Sequence, residues 1–115
     1  MQKKIRRILL VEDQSDARAL LAQILRLEGF EVEDVSSGDE AVEMFTRGQF
    51  DLVITDFKMP GKNGQETADA LRAIDAGVRI WLLTGSGHAV QRSSSVERVI
   101  GKPVFSETLI RLINA

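Results

Sequence analysis

The stretch Leu52-Val53-Ile54-Thr55-Asp56-Phe57-Lys58-Met59-Pro60 runs from strand-forming residues straight into a carboxylate and a proline-stiffened loop. Its first half is apolar at consecutive positions instead of alternating, which is the pattern of a strand buried on both faces of a sheet. Four more short runs, each bounded by charged or turn residues, read the same way: Ile8 to Val11, Phe30 to Val35, Val78 to Leu83, and Val99 to Ile100 with its neighbours. Each predicts a strand.

Helical spacing fills the segments between them. Ala17, Leu20, Leu21, Ile24 and Leu25 repeat at three and four residues, and Gly29 stands where a helix C-terminus favours a left-handed residue. Ser37 followed by Glu40 predicts a capping box opening a second helix, with Ala41, Val42 and Phe45 as its apolar stripe. Asn63 is placed to cap a third helix carrying Thr67, Ala68, Leu71 and Ile74, and Ser106 a last one with Leu109, Ile110 and Ile113. Strand and helix alternate from end to end, so the expected class is α/β: a doubly wound, five-stranded parallel sheet with helices on both faces. Ligands of such sheets sit outside the carboxyl ends of the strands. The residues directly after each strand are therefore where chemistry is expected.

At 115 residues the chain fits one domain, since domains cluster around ~100–150 residues, and a single unit over 1–115 is expected with no second one tethered within it. Hydrophobic residues at 43% and charged residues at 28% suit a self-sufficient core and exclude a disordered or collagenous chain. The lack of cysteine excludes a disulfide framework, a thiolate zinc site and a thiol nucleophile, and fits the reducing cytoplasm. A net charge of -2 offers no basic field, so direct nucleic-acid binding is not expected. Lys3, Lys4, Arg6 and Arg7 precede only Ile8 to Val11 before Glu12 and Asp13, too little for a signal-peptide core of ~7–15 apolar residues. No apolar run approaches the ~18 residues of a membrane helix, so no membrane insertion is expected.

Glu12 and Asp13 follow the first strand, Asp56 the third, Thr84 the fourth, and Lys102 with Pro103 the fifth. Three carboxylates, a hydroxyl and an ammonium thus converge on one rim. Carboxylates packed together repel, and an all-oxygen donor set calls for a hard divalent cation, with magnesium the best fit. Thr84 and Lys102 add a hydroxyl donor and a positive charge suited to a phosphoryl group.

These residues resemble those of a response-regulator receiver domain over essentially the whole chain: Val11-Glu12-Asp13, Asp56-Phe57-Lys58-Met59-Pro60 with Gly64 four residues past the proline, Leu83-Thr84-Gly85, and Lys102-Pro103. The resemblance, and not the periodicity, supplies the strand order 2-1-3-4-5. It implies that Asp56 is the phosphoacceptor of a two-component system or phosphorelay. Asp13, Asp56 and the Lys58 backbone carbonyl would bind Mg2+, with Glu12 reaching it through water. Thr84 and Gly85 would contact and respond to the phosphoryl group, and Lys102 would pair with it across a cis bond to Pro103. Pro60 would stiffen the loop, and Gly64 would permit the turn into the third helix. The donor would be a histidine kinase or phosphotransfer domain, and the output a downstream protein or attached domain. The chain would be a signalling domain that assists its own phosphorylation and dephosphorylation, not an enzyme.

Two departures from the family stand out. Receivers usually carry Tyr or Phe three residues before the lysine, where this chain has Val99, and the common Phe after Lys-Pro is Val104, with Phe105 next. Only 17 residues, Gly85 to Gly101, separate Thr84 from Lys102. After a strand of ~5 residues about 12 remain, close to the ~10–12 minimum for a crossover with its helix. Serines within Ala89 to Ser95 weaken helix further, so the fourth helix is expected to be short or irregular. Phosphorylation is then expected to order or shift Gly85 to Ser95 instead of turning an aromatic ring. His88, the single histidine, reads as a loop residue, and Trp81 as a packed strand residue.

Three other functions fit less well. A flavodoxin-like nucleotide or flavin binder would meet repulsion from Glu12 and Asp13, and neither Gly61-Lys62 nor Gly101-Lys102 completes a P-loop. A phosphatase using Asp56 as nucleophile would want an acid where Lys58 stands. The remaining alternative is a degenerate receiver that binds a partner without phosphorylation.

Overall fold

Ile8, Leu9, Leu10 and Val11 are each at most 1% exposed, because consecutive residues of this strand point alternately into two cores. The computed structural model describes residues 4–85 and 94–115. Within them run β1 (Arg7–Val11), α1 (Ser15–Leu27), β2 (Glu31–Val35), α2 (Gly38–Met44), β3 (Leu52–Asp56), α3 (Gly64–Ile74), β4 (Arg79–Thr84), β5 (Arg98–Gly101) and α4 (Ser106–Asn114). The five strands form one sheet in the order β2-β1-β3-β4-β5, and every pair is parallel. Leu9, Val11, Val53, Ile80 and Leu82 meet Ala41 and Phe45 from the α2 side and Ala68 and Leu71 of α3 on one face. Ile8, Leu10, Ile54, Trp81 and Leu83 meet Ala22 and Leu25 of α1 and Leu109 and Ile113 of α4 on the other. Trp81 is fully buried there, as a packed residue, with the guanidinium carbons of Arg79 and Arg98 5.8 and 5.3 Å from its ring centroid. Among the described residues no helix is long and apolar enough to cross a membrane.

The edge strand β2 departs from the continuous pattern. Its residues Glu31, Glu33 and Asp34 face water at least in part, while Val32 and Val35 each serve one core. Leu20 also departs from its expected place in the α1 stripe: it is 61% exposed, at a groove that Leu10 and Leu83 of the sheet also line.

Caps divide into those the sequence specifies and those it misplaces. Gly29 has φ +99°, the expected left-handed end of α1. Asn63 and Glu66 form a complete capping box at α3. At α2 only half forms: Ser37 Oγ accepts from Glu40 N at 3.1 Å, but the Glu40 carboxylate goes to Ser36 N and Oγ at 3.3 and 2.8 Å. Ser106 is not a cap. Phe105 occupies the N-cap of α4 without a side-chain bond, and Ser106 is already helical.

Gly64 opens α3 by close approach, whereas the left-handed conformation in this loop belongs to Gly61, at φ +73°. A Cβ on Gly64 would meet the Asp56 carbonyl oxygen, the Leu82 side chain and, at 2.8 Å, the Phe57 Cα. The expected short or irregular fourth helix, and His88, fall on residues 86–93, outside the described residues. Gly64→Ala should therefore lower stability by about 1–3 kcal/mol through overpacking. Gly101→Ala, whose Cβ would meet nothing within 4 Å, should stay within about 0.5 kcal/mol of wild type. Urea denaturation of the two variants checks the contrast.

Candidate functional site

Parallel pairing brings the strand ends level. Val11 lies opposite Thr55, Asp56 opposite Leu83, and Thr84 opposite Gly101, so the residues just beyond them share one rim. Backbone bonds carry the order past the strands. Glu12 N donates to Val35 O at 3.1 Å, Phe57 N to Leu83 O at 2.8 Å, and Lys102 N to Thr84 O at 2.7 Å. Gly64 N donates to Phe57 O at 2.8 Å and pins the far end of the Asp56 loop.

On this frame Glu12, Asp13 and Asp56 each bring a carboxylate oxygen within 4.8 Å of the others. Oxygens around one Mg2+ lie about 3–4 Å apart, given ligand distances of about 2.0–2.1 Å, so a small adjustment would seat such an ion. Lys102 Nζ lies 2.5 Å from Asp56 Oδ1. Glu12 and Asp56 are each 6% exposed, whereas Asp13 is half-buried. Burial above all, then the charge of Asp56, pushes the Glu12 carboxyl up to about 7, with Lys102 opposing the rise. Thr84 is buried, and among the described residues its hydroxyl makes one long contact, 3.4 Å, with Gly85 O.

One open cleft is lined by Glu12, Asp13, Asp56, Lys58, Pro60, Thr84, Gly85 and Lys102 together. The Lys102–Pro103 peptide is cis. Pro103 faces a second, more apolar groove beside Leu20, Leu21 and Ile24 of α1, and Gly64 lies beneath the Asp56 loop. Val99 is half-buried against the α2/α3 core, and neither groove includes it. The cleft also takes in Gln14, Ala17, Phe57 and Met59. Arg18 of α1, whose guanidinium donates to the Glu12 carbonyl at 2.9 Å, carried no signal in the sequence. An arginine on a helix face is ordinary, and only the fold shows what it reaches.

The arrangement can hold a divalent cation and place an ammonium and a hydroxyl around one reactive carboxylate, which suits phosphoryl transfer. A family model described as "Response regulator receiver domain" matches residues 8–114. The chain belongs to that family, the receiver domains of two-component response regulators, and is a signalling domain. Sporulation initiation phosphotransferase F of Bacillus subtilis is 33% identical over 81 residues, 70% of this chain and 65% of that protein. The CpxR homolog of Haemophilus influenzae is 34% identical over 113 residues, 95% of this chain and 49% of that protein. This chain thus spans less than two thirds of either relative. Among solved structures, a receiver domain protein from Clostridium thermocellum superposes with a TM-score of 0.87 at 28% identity, covering 96% of this chain and 92% of that one. The response regulator TrrA of Thermotoga maritima, solved in complex with Mg2+ and BeF, gives 0.81 at 33% identity, covering 95% and 96%.

Two carboxylates impose opposite pH dependences on the metal-free fold. Glu12 holds its proton in the native state up to about 7 but only to 4.5 in the unfolded chain. Between those values the native state binds more protons, so stability should fall as pH rises from about 4.5 to 7, by on the order of a few kcal/mol at most. Asp75, held below 3.8 by the Gly48 amide first and then by Gly77, Arg47 and Arg72 against its own burial, stabilises the fold above 3.8 and loses that contribution in stronger acid. Denaturation midpoints across pH 3–8 in EDTA should show both limbs. Glu12→Gln should flatten the upper one and Asp75→Asn the lower.

Proposed function

We propose that this chain, as a single receiver domain over 1–115, accepts a phosphoryl group on Asp56 from the phosphohistidine of a histidine kinase or phosphotransfer domain, in the cytoplasm. The contact that carries this reading is Lys102 Nζ at 2.5 Å from Asp56 Oδ1, in a rim that also holds Glu12, Asp13 and Thr84. Asp13, Asp56 and the Lys58 carbonyl would hold Mg2+, and Glu12 would reach it through water. The solved complex of TrrA with Mg2+ and BeF supports this assignment by likeness. When bound, the ion neutralises charge on the carboxylates and on the incoming phosphoryl oxygens.

A carboxylate oxygen of Asp56 attacks phosphorus as the phosphorus–nitrogen bond to the donor imidazole breaks, and the departing nitrogen takes a proton from solvent. Lys102 follows the phosphoryl oxygens, and the Thr84 hydroxyl and Gly85 amide donate to them. Little covalent chemistry is asked of the protein beyond positioning and charge neutralisation. Pro60 and Pro103 shape the loops around the acceptor, while Val99 leaves the movement of Thr84 no aromatic ring to turn. Output to a downstream protein or attached domain then depends on the Gly85 to Ser95 stretch, most of which lies outside the described residues. The domain assists its own phosphorylation and dephosphorylation. No observation favours a phosphorylation-independent interaction module.

Mass spectrometry after treatment with a small phosphoramidate should show one added phosphoryl group in the presence of Mg2+, labile as an acyl phosphate is. Asp56→Asn should abolish it. Modification that persists in that variant would refute the assignment. At one to ten times its dissociation constant, Mg2+ should stabilise the wild type by roughly 0.4–1.4 kcal/mol at low salt. Asp56→Asn should raise metal-free stability and reduce this gain.

A further inference from the structure

Arg18 stands in the first turns of α1, and none of the roles above uses it. Its Nη1 donates to the Glu12 carbonyl at 2.9 Å, and its Nε lies 3.4 Å from Asp34 Oδ1 on β2. On the amide side of the same residue, Glu12 N donates to Val35 O at 3.1 Å. Both backbone groups of Glu12 are thus tied to β2, one directly and the other through Arg18 and Asp34.

The Glu12 carbonyl belongs to the peptide that leads to Asp13. Whatever fixes that carbonyl fixes the plane from which the Asp13 side chain departs. The three carboxylates crowd within 4.8 Å, and Asp13 is the least buried of them. Rotation of this peptide would carry Asp13 out into solvent and relieve part of the repulsion in the metal-free rim. Arg18 opposes it. Its side chain is only 22% exposed, and a planar guanidinium holds a carbonyl and a carboxylate at once in a fixed fork, as an ammonium cannot.

The geometry points to Arg18 as a positioning residue that holds the Glu12–Asp13 turn in its cation-binding conformation. This role rests on the metal-dependent function proposed above. Arg26 supplies the internal control, because it pairs with the same Asp34 at 3.1 Å and with Val32 O at 2.7 Å, so its bonds stay on β2.

Isothermal titration of MgCl2 into wild type, Arg18→Ala, Arg18→Lys, Arg26→Ala and Asp34→Asn, with each variant's urea stability measured alongside, tests the assignment. Partners that orient a metal's ligands are typically worth ~10–100-fold in affinity, and a partner of the backbone alone falls at the low end. Arg18→Ala should raise the Mg2+ dissociation constant about 5–10-fold. Arg18→Lys should recover part of that loss, and Asp34→Asn should raise the constant about 2–4-fold. Arg26→Ala should lose stability yet bind Mg2+ within twofold of wild type. An unchanged dissociation constant in Arg18→Ala, or an equal loss in Arg26→Ala, overturns the positioning role while leaving the metal site standing. Wild type that binds no Mg2+ overturns the metal reading, and the positioning role with it. Should Arg18→Ala fail to fold, Arg18→Lys and Asp34→Asn decide by the same criterion: affinity equal to wild type in both refutes the role.

Discussion

Three carboxylates held within 4.8 Å of one another repel, and the protein keeps them there by anchoring the backbone that carries them to the sheet. Glu12 and Asp56 sit where β1 and β3 end, and the sheet ladder continues past both, through Glu12 N to Val35 O and Phe57 N to Leu83 O. Lys102 answers with one positive charge against three potential negative ones. The raised Glu12 carboxyl shows the cost of this crowding at one residue: burial first, and then the negative charge of Asp56, keep its proton on against the opposing pull of the Lys102 ammonium. A cation, or a phosphoryl group carried with one, completes a charge pattern that the fold leaves open.

The rigidity behind this arrangement comes from the strands that are buried on both sides. β3 is buried at all five positions, alternately feeding the α2/α3 core and the α1/α4 core, so Asp56 at its end inherits a fixed position from both layers. Gly64 tightens the other end of the Asp56 loop, since only a residue without a side chain lets α3 begin against the Asp56 carbonyl and Leu82. Acceptor carboxylate, loop and helix start are in this way one packed unit.

Local rules reached most of this from the residues. Short stretches rich in apolar residues located all five strands, although β2 is not continuously apolar, and the residues just past the others located Glu12, Asp13, Asp56, Thr84 and Lys102, because a parallel sheet makes sequence position after a strand equivalent to position on a rim. Chemistry that depends on one residue and its neighbours in the chain, as at Asn63 and Gly29, was equally readable. Failures came where a choice between near neighbours depends on tertiary contacts. Glu40 turns to Ser36, Ser106 enters the helix it was expected to cap, and Leu20 stays largely exposed. Arg18 shows the same limit from the other side, since its meaning lies in Glu12 and Asp34, which the fold and not the sequence brings beside it.

Trp81 is the single tryptophan, and the chain has no tyrosine. Its near-ultraviolet emission therefore comes from one indole, fully buried between β4 and the Leu109 and Ile113 side chains of α4, with guanidinium groups of Arg79 and Arg98 against its ring. That indole sits three residues before Thr84, roughly 10 Å down the strand from the rim. Light from it reports whether α4 stays seated on the sheet, so a fluorescence change on adding a ligand at the carboxylates would mean that the disturbance had travelled down β4 into the packing beneath.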